Sequence, residues 1–169
     1  MIELRKYDTQ YIETFVQHRN NPNISKNGFD RTPDPYTIEY ATELFSKHVG
    51  KTPAERFLIF YDNQLCGEIG IWPGEDIHRC NAELGYFIAE SFWGKGIATE
   101  AIRLMTEYVF NTFDVIRIVA GVFEFNKASM KALEKNGYVL ETVRKKAVIK
   151  NNQLYDDYYW VKFKEEINN

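Results

Sequence analysis

The sequence predicts a single α/β domain over residues 1–169, in which a mixed, mostly antiparallel central sheet is flanked by helices. Three observations lead to this fold class. Residues 56–88 contain alternating apolar runs divided by short turns, which is typical of antiparallel strands. Residues 97–111 follow the helical period, with one apolar and one polar side. Residues 115–123 are almost continuously apolar, as expected of a buried strand.

The N-terminal third is predicted to hold one strand and two helices. The run "IELRKY" alternates in polarity and predicts the first strand. Thr9 is the predicted N-cap of a helix through "QYIETFVQHRN", and Pro22 is expected to end that helix. Thr37 is the predicted cap of a second helix, "IEYATELFSKHV". The loop between the two helices is long and rich in Asn, Pro and Asp, which is typical of functional loops.

The rest of the chain is predicted to form strands and two further helices. The segments "RFLIFY" and "QLCGEIGIW", joined by "DN", predict a hairpin, and "RCNAELGYFI" predicts the next strand. After the long helix and the buried strand, Asn126 is the predicted cap of a short helix that ends with Gly137 at its C′ position. Two final strands are expected to turn near Asn151 and Asn152.

Composition limits the classes of function. The chain is 44% hydrophobic and carries a formal net charge of −3, which disfavours a general nucleic-acid binder because such proteins usually have a basic excess. The start of the chain lacks the apolar core of a signal peptide, and no run is long enough to span a bilayer, so a cytoplasmic protein without a membrane partner is expected. Cys66 and Cys80 form no CxxC pair and the three histidines lack ligand spacing, so no metal is expected.

The segment "WGKGIA" joins a predicted strand to a predicted long helix, which is the arrangement of an anion site. The first N–H groups of a helix have no partner within it and point out of its positive end. Gly94 and Gly96 carry no side chains, so a phosphate can approach the backbone closely. Lys95 and Thr99 add a positive charge and a hydroxyl group. The segment therefore predicts a phosphate-binding loop.

Two common phosphate motifs do not match this loop. A P-loop requires Gly, four residues and then Gly-Lys-Ser/Thr, but Ala89 occupies the first glycine position and Gly96 follows the lysine. The dinucleotide fingerprint Gly-x-Gly-x-x-Gly matches Gly94 and Gly96 but has Thr99 in its third glycine position. That fingerprint would imply a nicotinamide oxidoreductase with Glu124 as the ribose-binding acid, and the antiparallel meander before the loop argues against it.

A third motif fits the loop. "WGKGIA" resembles the pyrophosphate loop of the GNAT superfamily of acetyl-CoA-dependent N-acetyltransferases, Gln/Arg-x-x-Gly-x-Gly/Ala. Trp93 takes the Gln/Arg position, as in the branch that acetylates ribosomal-protein N-termini. Four further segments resemble that branch in the same order: "DRTPDPYTIEYA" its substrate loop and helix, "AELGYFI" its central strand, "NKASMKALEKNGY" its second cofactor motif, and "IKNNQLYDDYYW" its closing hairpin. The resemblance covers almost the whole chain and implies a GNAT-like fold.

The resemblance also implies a binding site for acetyl-CoA. The pyrophosphate is expected to contact the loop and the helix start, namely Trp93, Gly94, Lys95, Gly96, Ile97, Ala98 and Thr99. Phe87 and Ile88 are implied as backbone partners of the pantetheine arm, with the Ile88 N–H polarising the thioester carbonyl. Asn126 is implied to bond the arm from the start of its helix. A plain N-cap is the alternative for Asn126.

The catalytic acid departs from the pattern of many relatives. Those relatives place a tyrosine in this helix to protonate the leaving thiolate, and here that position is Glu134. Ser129 lies one helical turn after Asn126 and on the same face. In the branch that this chain resembles, the serine of this helix is implied as the substitute acid. A buried hydroxyl group that bonds its own helix is the alternative for Ser129.

The catalytic base is expected to be a carboxylate that acts directly or through water. Glu83 on the central strand is the first candidate, and Glu68 and Glu141 are the alternatives. The substrate decides how strong this base must be. A peptide α-amine has a reference pKa of about 8 and a lysine amine one of about 10.4, so an N-terminal substrate requires much less of the enzyme.

The expected activity is direct transfer of acetyl from acetyl-CoA to a primary amine, without an acyl-enzyme and without a metal. The branch favours a protein or peptide N-terminal amine, such as that of a ribosomal protein. A polyamine, an amino acid or an aminoglycoside is the alternative acceptor, and a GNAT-fold module that binds coenzyme A without turnover is the alternative from another class. The sequence leaves a monomer and a homodimer open, and no direct nucleic-acid partner is expected.

Overall fold

The computed structural model describes residues 1–165, which contain seven strands and five α-helices. The strands are β1 (Ile2–Arg5), β2 (Arg56–Tyr61), β3 (Gln64–Pro73), β4 (Asn81–Ile88), β5 (Arg117–Phe123), β6 (Val139–Lys150) and β7 (Gln153–Phe163). The helices are α1 (Ile12–Arg19), α2 (Pro22–Ser25), α3 (Ile38–His48), α4 (Ile97–Thr112) and α5 (Lys127–Lys135). Short 3₁₀ turns occur at Thr9–Tyr11, Asp76–His78 and Glu90–Phe92.

The strands follow the order β1-β2-β3-β4-β5-β7-β6 in one sheet. The pairs β1–β2, β2–β3, β5–β7 and β6–β7 are antiparallel, and the pair β4–β5 is parallel. The parallel pair arises because α4 connects β4 to β5, as a crossover between parallel strands requires. The predicted mixed, mostly antiparallel sheet is confirmed.

The chain divides into two compact units, and each consists of two separate segments of sequence. The first unit contains residues 1–70 and 86–101, and the second contains residues 71–85 together with the chain from Ile102 onward. The single domain over residues 1–169 stays a prediction, and residues 166–169 of that range lie outside the described residues.

Aromatic residues form the core of the first unit. Phe15 on α1 is fully buried, and its ring packs edge-on against Phe45 on α3 and Phe87 at the end of β4, at centroid distances of 5.2 and 5.5 Å. Helix α3 begins as predicted, because the Thr37 hydroxyl accepts a hydrogen bond from the Tyr40 N–H at 3.2 Å. Burial of large aromatic rings therefore holds α1 and α3 against the strands of this unit.

Two predictions about the N-terminal helices were wrong. The first cap is Asp8, whose carboxylate accepts from the Gln10 N–H, and Thr9 lies inside the 3₁₀ turn that precedes α1. Pro22 does not end a helix but begins α2, which Asn21 caps by accepting from the Asn23 N–H. Proline at the first helical position loses no hydrogen bond, since that N–H would be unpaired in any case. The first unit therefore has three helices before β2, where the sequence predicted two.

The second unit contains the predicted final hairpin. Asn151 and Asn152 join β6 to β7 with φ values of 51° and 60°, the left-handed pair that a tight hairpin turn requires. Helix α5 begins and ends as predicted. Asn126 caps it through a bond from the Ser129 N–H to the Asn126 Oδ1 atom, and Gly137 follows it with a φ of 76°.

Candidate functional site

The glycine loop of the first unit offers an open backbone. Strand β4 ends at Ile88 and α4 begins at Ile97, with the loop between them. Gly94 and Gly96 have φ values of +76° and +74°, and a Cβ atom added at either position would meet nothing within 4 Å. Both the left-handed conformation and the absent side chains therefore leave the main chain accessible to a ligand.

One lysine and one helix N-terminus bring positive charge to this part of the chain. The Glu100 N–H donates to the Gly96 carbonyl at 3.2 Å, so the first turn of α4 starts directly at the loop. The buried Ile97 side chain anchors this helix start. The ammonium group of Lys95 lies 5.1 Å from the ring centroid of Phe92. The helix terminus and the lysine are the positive groups that a phosphate site requires, and the binding of phosphate at this loop stays a prediction.

Trp93 links the loop to the end of β4. Its indole N–H donates to the Ile88 carbonyl at 2.7 Å, while the residue as a whole is 45% exposed. The Ile88 carbonyl is therefore already bonded, and the predicted contact of the Ile88 N–H with the thioester stays a prediction. The Phe87 side chain is buried, and the Arg19 guanidinium lies 4.8 Å from its ring centroid. A contact between Phe87 and the pantetheine arm would have to use the backbone, as predicted.

Two asparagines that the sequence analysis missed hold the turn ahead of the loop. The Asn21 and Asn23 amides donate to the two oxygens of Glu90 at 2.6 and 2.9 Å. Glu90 begins the 3₁₀ turn that leads into Trp93. This contact fixes the turn to the N-terminus of α2. The sequence signal was the "NPN" segment, but its partner is 67 residues or more away in the chain.

Glu68 belongs to a buried ion pair in the first unit. It forms a salt bridge with Arg56, and the Tyr7 hydroxyl donates to the same carboxylate oxygen. Burial, with the neighbouring Glu68 charge, raises the pKa of Tyr7 well above its ordinary value, so Tyr7 stays a hydrogen-bond donor. These partners hold the Glu68 carboxylate in place, which suits a structural role better than that of the predicted alternative base.

We expect Glu68→Gln to destabilise the protein by about 3 kcal/mol, because it leaves Arg56 buried without its counter-charge. Equilibrium urea unfolding measures this loss. Glu43→Gln is the matched control: it breaks an exposed ion pair with Lys47 on α3 and should leave the unfolding midpoint nearly unchanged. A stable Glu68→Gln protein with low turnover would instead identify Glu68 as the base.

Glu83 lies in a cluster on one face of the sheet in the second unit. The parallel register pairs Glu83 with Val119 on β5. Along β5, Gly121 pairs with Tyr159 and Phe123 pairs with Asp157, both on β7. Because side chains alternate along strands, residues at these paired positions share one face. Arg144 on β6 pairs with Asp157 and completes the cluster with a salt bridge.

The surroundings of Glu83 suit a catalytic base. The carboxyl group is open to solvent, but adjacent protein atoms and the charge of Asp157 raise its pKa, against an opposing effect of Arg144. A higher pKa makes the carboxylate a stronger base at neutral pH. The alternative Glu141 is exposed and bonded to Arg117 in a salt bridge, so its charge is already paired.

The start of α5 presents the two other residues predicted for this unit. The cap uses only the carbonyl oxygen of Asn126, at 3.4 Å from the Ser129 nitrogen, so the amide NH₂ group is not used by the cap. The cap and the ligand role of Asn126 are therefore compatible. Ser129 is half-buried in the first turn of α5, whereas Glu134 in the tyrosine position is exposed.

Tyr138 in the second unit and Cys66 in the first unit are unsuited to proton or acyl transfer. Tyr138 is buried, its hydroxyl lies 2.8 Å from that of Thr106, and burial raises its pKa to about 12. Cys66 is buried, its thiol donates to the Ile59 carbonyl, and burial raises its pKa to about 12. Tyr138 cannot replace the missing tyrosine acid, and Cys66 offers no thiolate nucleophile at neutral pH.

Within residues 1–165, no group of three or more His, Cys, Asp and Glu residues is arranged to hold a metal ion. In the same part of the chain, no helix is both long enough and apolar enough to cross a membrane. The cytoplasmic location stays a prediction.

Known proteins similar to this chain are acetyltransferases. A family model described as an acetyltransferase (GNAT) domain matches residues 2–139. The chain is 32% identical to the probable N-acetyltransferase YjcK of Bacillus subtilis (strain 168) over 148 residues, which cover 85% of this chain and 81% of that protein. It is 24% identical to the spermidine N(1)-acetyltransferase of Escherichia coli (strain K12) over 141 residues, 83% of this chain and 74% of that protein.

A solved structure extends the similarity to almost the full length. The structure of RimL, a ribosomal alpha-N-protein acetyltransferase in complex with coenzyme A, matches with a TM-score of 0.82 at 25% identity, covering 96% of this chain and 93% of that chain. This match confirms the predicted fold class. The names of these relatives give different acceptors, a ribosomal protein for one and spermidine for another.

Proposed function

The chain belongs to the GNAT acetyltransferase family and is an N-acetyltransferase, and we propose that its acceptor is the α-amine of a protein or peptide N-terminus. The observation that carries this proposal is Glu83, a single solvent-open carboxylate with a raised pKa. Such a base is sufficient for an α-amine with a pKa of about 8, but much weaker than needed for an amine near 10.4. The likeness to RimL over 96% of the chain supports the same acceptor class.

The acetyl donor is acetyl-CoA, and we assign its pyrophosphate to the glycine loop of the first unit. The open backbone at Gly94 and Gly96 lets phosphate oxygens reach the main chain. The N-terminus of α4 and Lys95 supply positive charge. The proposed contacts to the donor are those of the sequence analysis: Phe87, Ile88, Trp93, Gly94, Lys95, Gly96, Ile97, Ala98, Thr99, Asn126 and Ser129.

The proposed reaction is a direct transfer. Glu83 accepts a proton from the acceptor, directly or through one water, and the amine nitrogen then attacks the thioester carbonyl. The new C–N bond forms as the carbonyl oxygen takes negative charge, which the Ile88 N–H stabilises. The C–S bond then breaks, and the coenzyme A thiolate takes the proton of the Ser129 hydroxyl. No covalent enzyme intermediate is needed.

Replacement of Ser129 by Ala tests the acid. We expect kcat to fall about a hundredfold while the affinity for acetyl-CoA changes little, because the thiolate loses its proton donor and the binding loop is intact. Initial rates and calorimetric binding measure the two effects separately. Ser46→Ala, on the exposed side of α3, is the control and should change neither. Normal turnover in Ser129→Ala would leave Ser129 with a structural role.

Release of free thiol from acetyl-CoA tests the acceptor class. The panel contains a peptide with a free N-terminus, the same peptide with a blocked N-terminus and a free lysine, spermidine, an amino acid and an aminoglycoside. We expect turnover with the free N-terminus, and its loss when that amine is blocked. A higher kcat/KM for spermidine or another small amine would overturn the proposed acceptor.

A small polyamine is the second candidate acceptor. The 24% identity to a spermidine N(1)-acetyltransferase over 83% of this chain favours it. The amines of a polyamine have a higher pKa than a peptide α-amine, so a second proton acceptor would be needed in addition to Glu83. Turnover that rises with pH up to about 10 for spermidine, and no turnover of peptides, is the result that would support it.

A further inference from the structure

Both carboxylate oxygens of Glu90 are bonded to the start of α2. The Asn21 amide donates to one oxygen at 2.6 Å, and the Asn23 amide donates to the other at 2.9 Å. The Asn21 Oδ1 atom caps α2 by accepting from the Asn23 N–H, so the side that Asn21 turns to Glu90 is its NH₂ group. Two charge-assisted hydrogen bonds therefore join residues of the first unit that are 69 and 67 positions apart.

The turn that carries Glu90 has supports of its own. The Ala89 N–H donates to the Cys66 carbonyl on β3 at 2.8 Å, and the Trp93 indole bonds the Ile88 carbonyl at the end of β4. These bonds hold the turn to two strands without help from α2. Loss of the Glu90 contact should therefore leave the glycine loop in place.

The chain on the other side of the contact has less regular structure. Residues 26–37, between α2 and α3, form neither helix nor strand. Asn20 closes the base of this segment, because its side chain accepts from the Tyr36 N–H and donates to the Tyr36 carbonyl, both at 2.8 Å. The buried Ile24 side chain anchors the middle of α2. The contact with Glu90 fixes the start of α2 and so sets the direction in which residues 26–37 leave it.

We propose that Glu90 is a positioning residue for the acceptor, because it holds α2 and residues 26–37 beside the turn that precedes the glycine loop. The acceptor amine must reach the thioester of a donor bound at that loop, so a segment fixed to this turn borders its path. Phe29 in this segment is 54% exposed and supplies apolar surface for a peptide. This inference rests on the proposed function, since it places the donor at the glycine loop and takes a peptide as the acceptor.

Asn23→Asp tests this role by placing a carboxylate opposite Glu90. The two like charges should separate α2 from the turn, although a carboxylate near the start of a helix is itself favourable to that helix. We expect KM for a peptide with a free N-terminus to rise about tenfold, while kcat and the affinity for coenzyme A stay within twofold of the wild type. Initial rates and calorimetric binding measure these values.

The double variant Asn23→Asp/Glu90→Gln makes the test specific. Its glutamine amide donates to the new carboxylate at position 23, so both bonds form again with one donor and one acceptor exchanged. KM should then return to within threefold of the wild type. Gln17→Glu is the control, because it adds the same charge at an exposed position on α1 of the same unit, and it should leave KM unchanged. An unchanged KM in Asn23→Asp would overturn the proposal, as would a double variant that is equally impaired.

Hydrogen exchange of residues 21–36 gives a second measurement that needs no turnover. Their amides should exchange about tenfold faster in Asn23→Asp and at the wild-type rate in the double variant. A wild type that acetylates other amines but no peptide would contradict the proposed acceptor, and the exchange rates with KM for the accepted amine would still decide the role of Glu90. Unchanged exchange and unchanged KM beside normal peptide acetylation would overturn this inference alone and leave the proposed function intact.

Discussion

Gly96→Glu is expected to abolish acetyl-CoA binding, with a loss of affinity of at least about a hundredfold. Gly96 has a φ of +74°, where an L side chain is strained, and its Cβ direction is open. The new carboxylate would therefore occupy the space assigned to the pyrophosphate. It would also place a negative charge at the start of α4, where the helix terminus otherwise attracts the phosphates. Isothermal titration calorimetry with coenzyme A measures the loss.

The fold supplies a close control for this substitution. Gly50 has a φ of +76° and an equally open Cβ direction, but it follows α3 and is not part of the glycine loop. Gly50→Glu should carry the same backbone strain and the same added charge, yet bind coenzyme A as the wild type does. Gly96→Ala separates strain from charge and should lose much less affinity than Gly96→Glu. Unchanged affinity in Gly96→Glu would show that the phosphates bind elsewhere.

Glu83→Gln is expected to lower kcat/KM at pH 7 about a hundredfold, the ordinary contribution of a general base. In the wild type, activity should rise as pH passes the pKa of Glu83. Adjacent protein atoms and the charge of Asp157 raise that pKa, and Arg144 lowers it, so the acidic limb should lie above the ordinary pKa of a glutamate. Without this base, the amine must lose its proton in solution, and the limb should move up to the amine pKa of about 8.

The pH profile of kcat/KM with a peptide acceptor, measured from pH 5 to 10, checks this shift. Glu141→Gln is the control, because it removes an exposed carboxylate paired with Arg117 and should leave the profile in place. An unshifted profile in Glu83→Gln would assign the base elsewhere.

Folding stability separates loss of catalysis from loss of structure in this variant. A carboxyl group whose pKa is raised in the folded state stabilises the fold only in its protonated form, and that contribution is lost as pH rises through the folded-state pKa. At pH 7 the ionised Glu83 therefore adds no stability. Glu83→Gln should not lower the urea midpoint at that pH, and a lowered midpoint would point to misfolding rather than to a missing base.

The sequence by itself was sufficient for the fold class and for predicting a phosphate-binding loop. Strands and helices followed from hydrophobic period and turn residues, and the caps at Thr37 and Asn126 followed from side chains that bond their own helix starts. The segment "WGKGIA" could be interpreted from sequence because the features that define it are local: two glycines and a helix start lie within a few residues. The first cap was missed because Asp8 and Thr9 are adjacent and both are good cap residues.

Only the tertiary structure distinguished the surroundings of the three candidate carboxylates. The sequence alone could not distinguish the three candidate bases. In the structure, Glu68 is buried in an ion pair with Arg56. Glu83 is open to solvent beside Asp157, and Glu141 is in a salt bridge on the surface. Asp157 gave no sequence signal, since Gly121, its neighbour in space, is 36 positions away in the chain. Its position beside Gly121 and Arg144 results from strand register, which aligns β7 with β5 and β6. Strand register is determined by many weak contacts between residues far apart in the chain, so no short sequence motif predicts it.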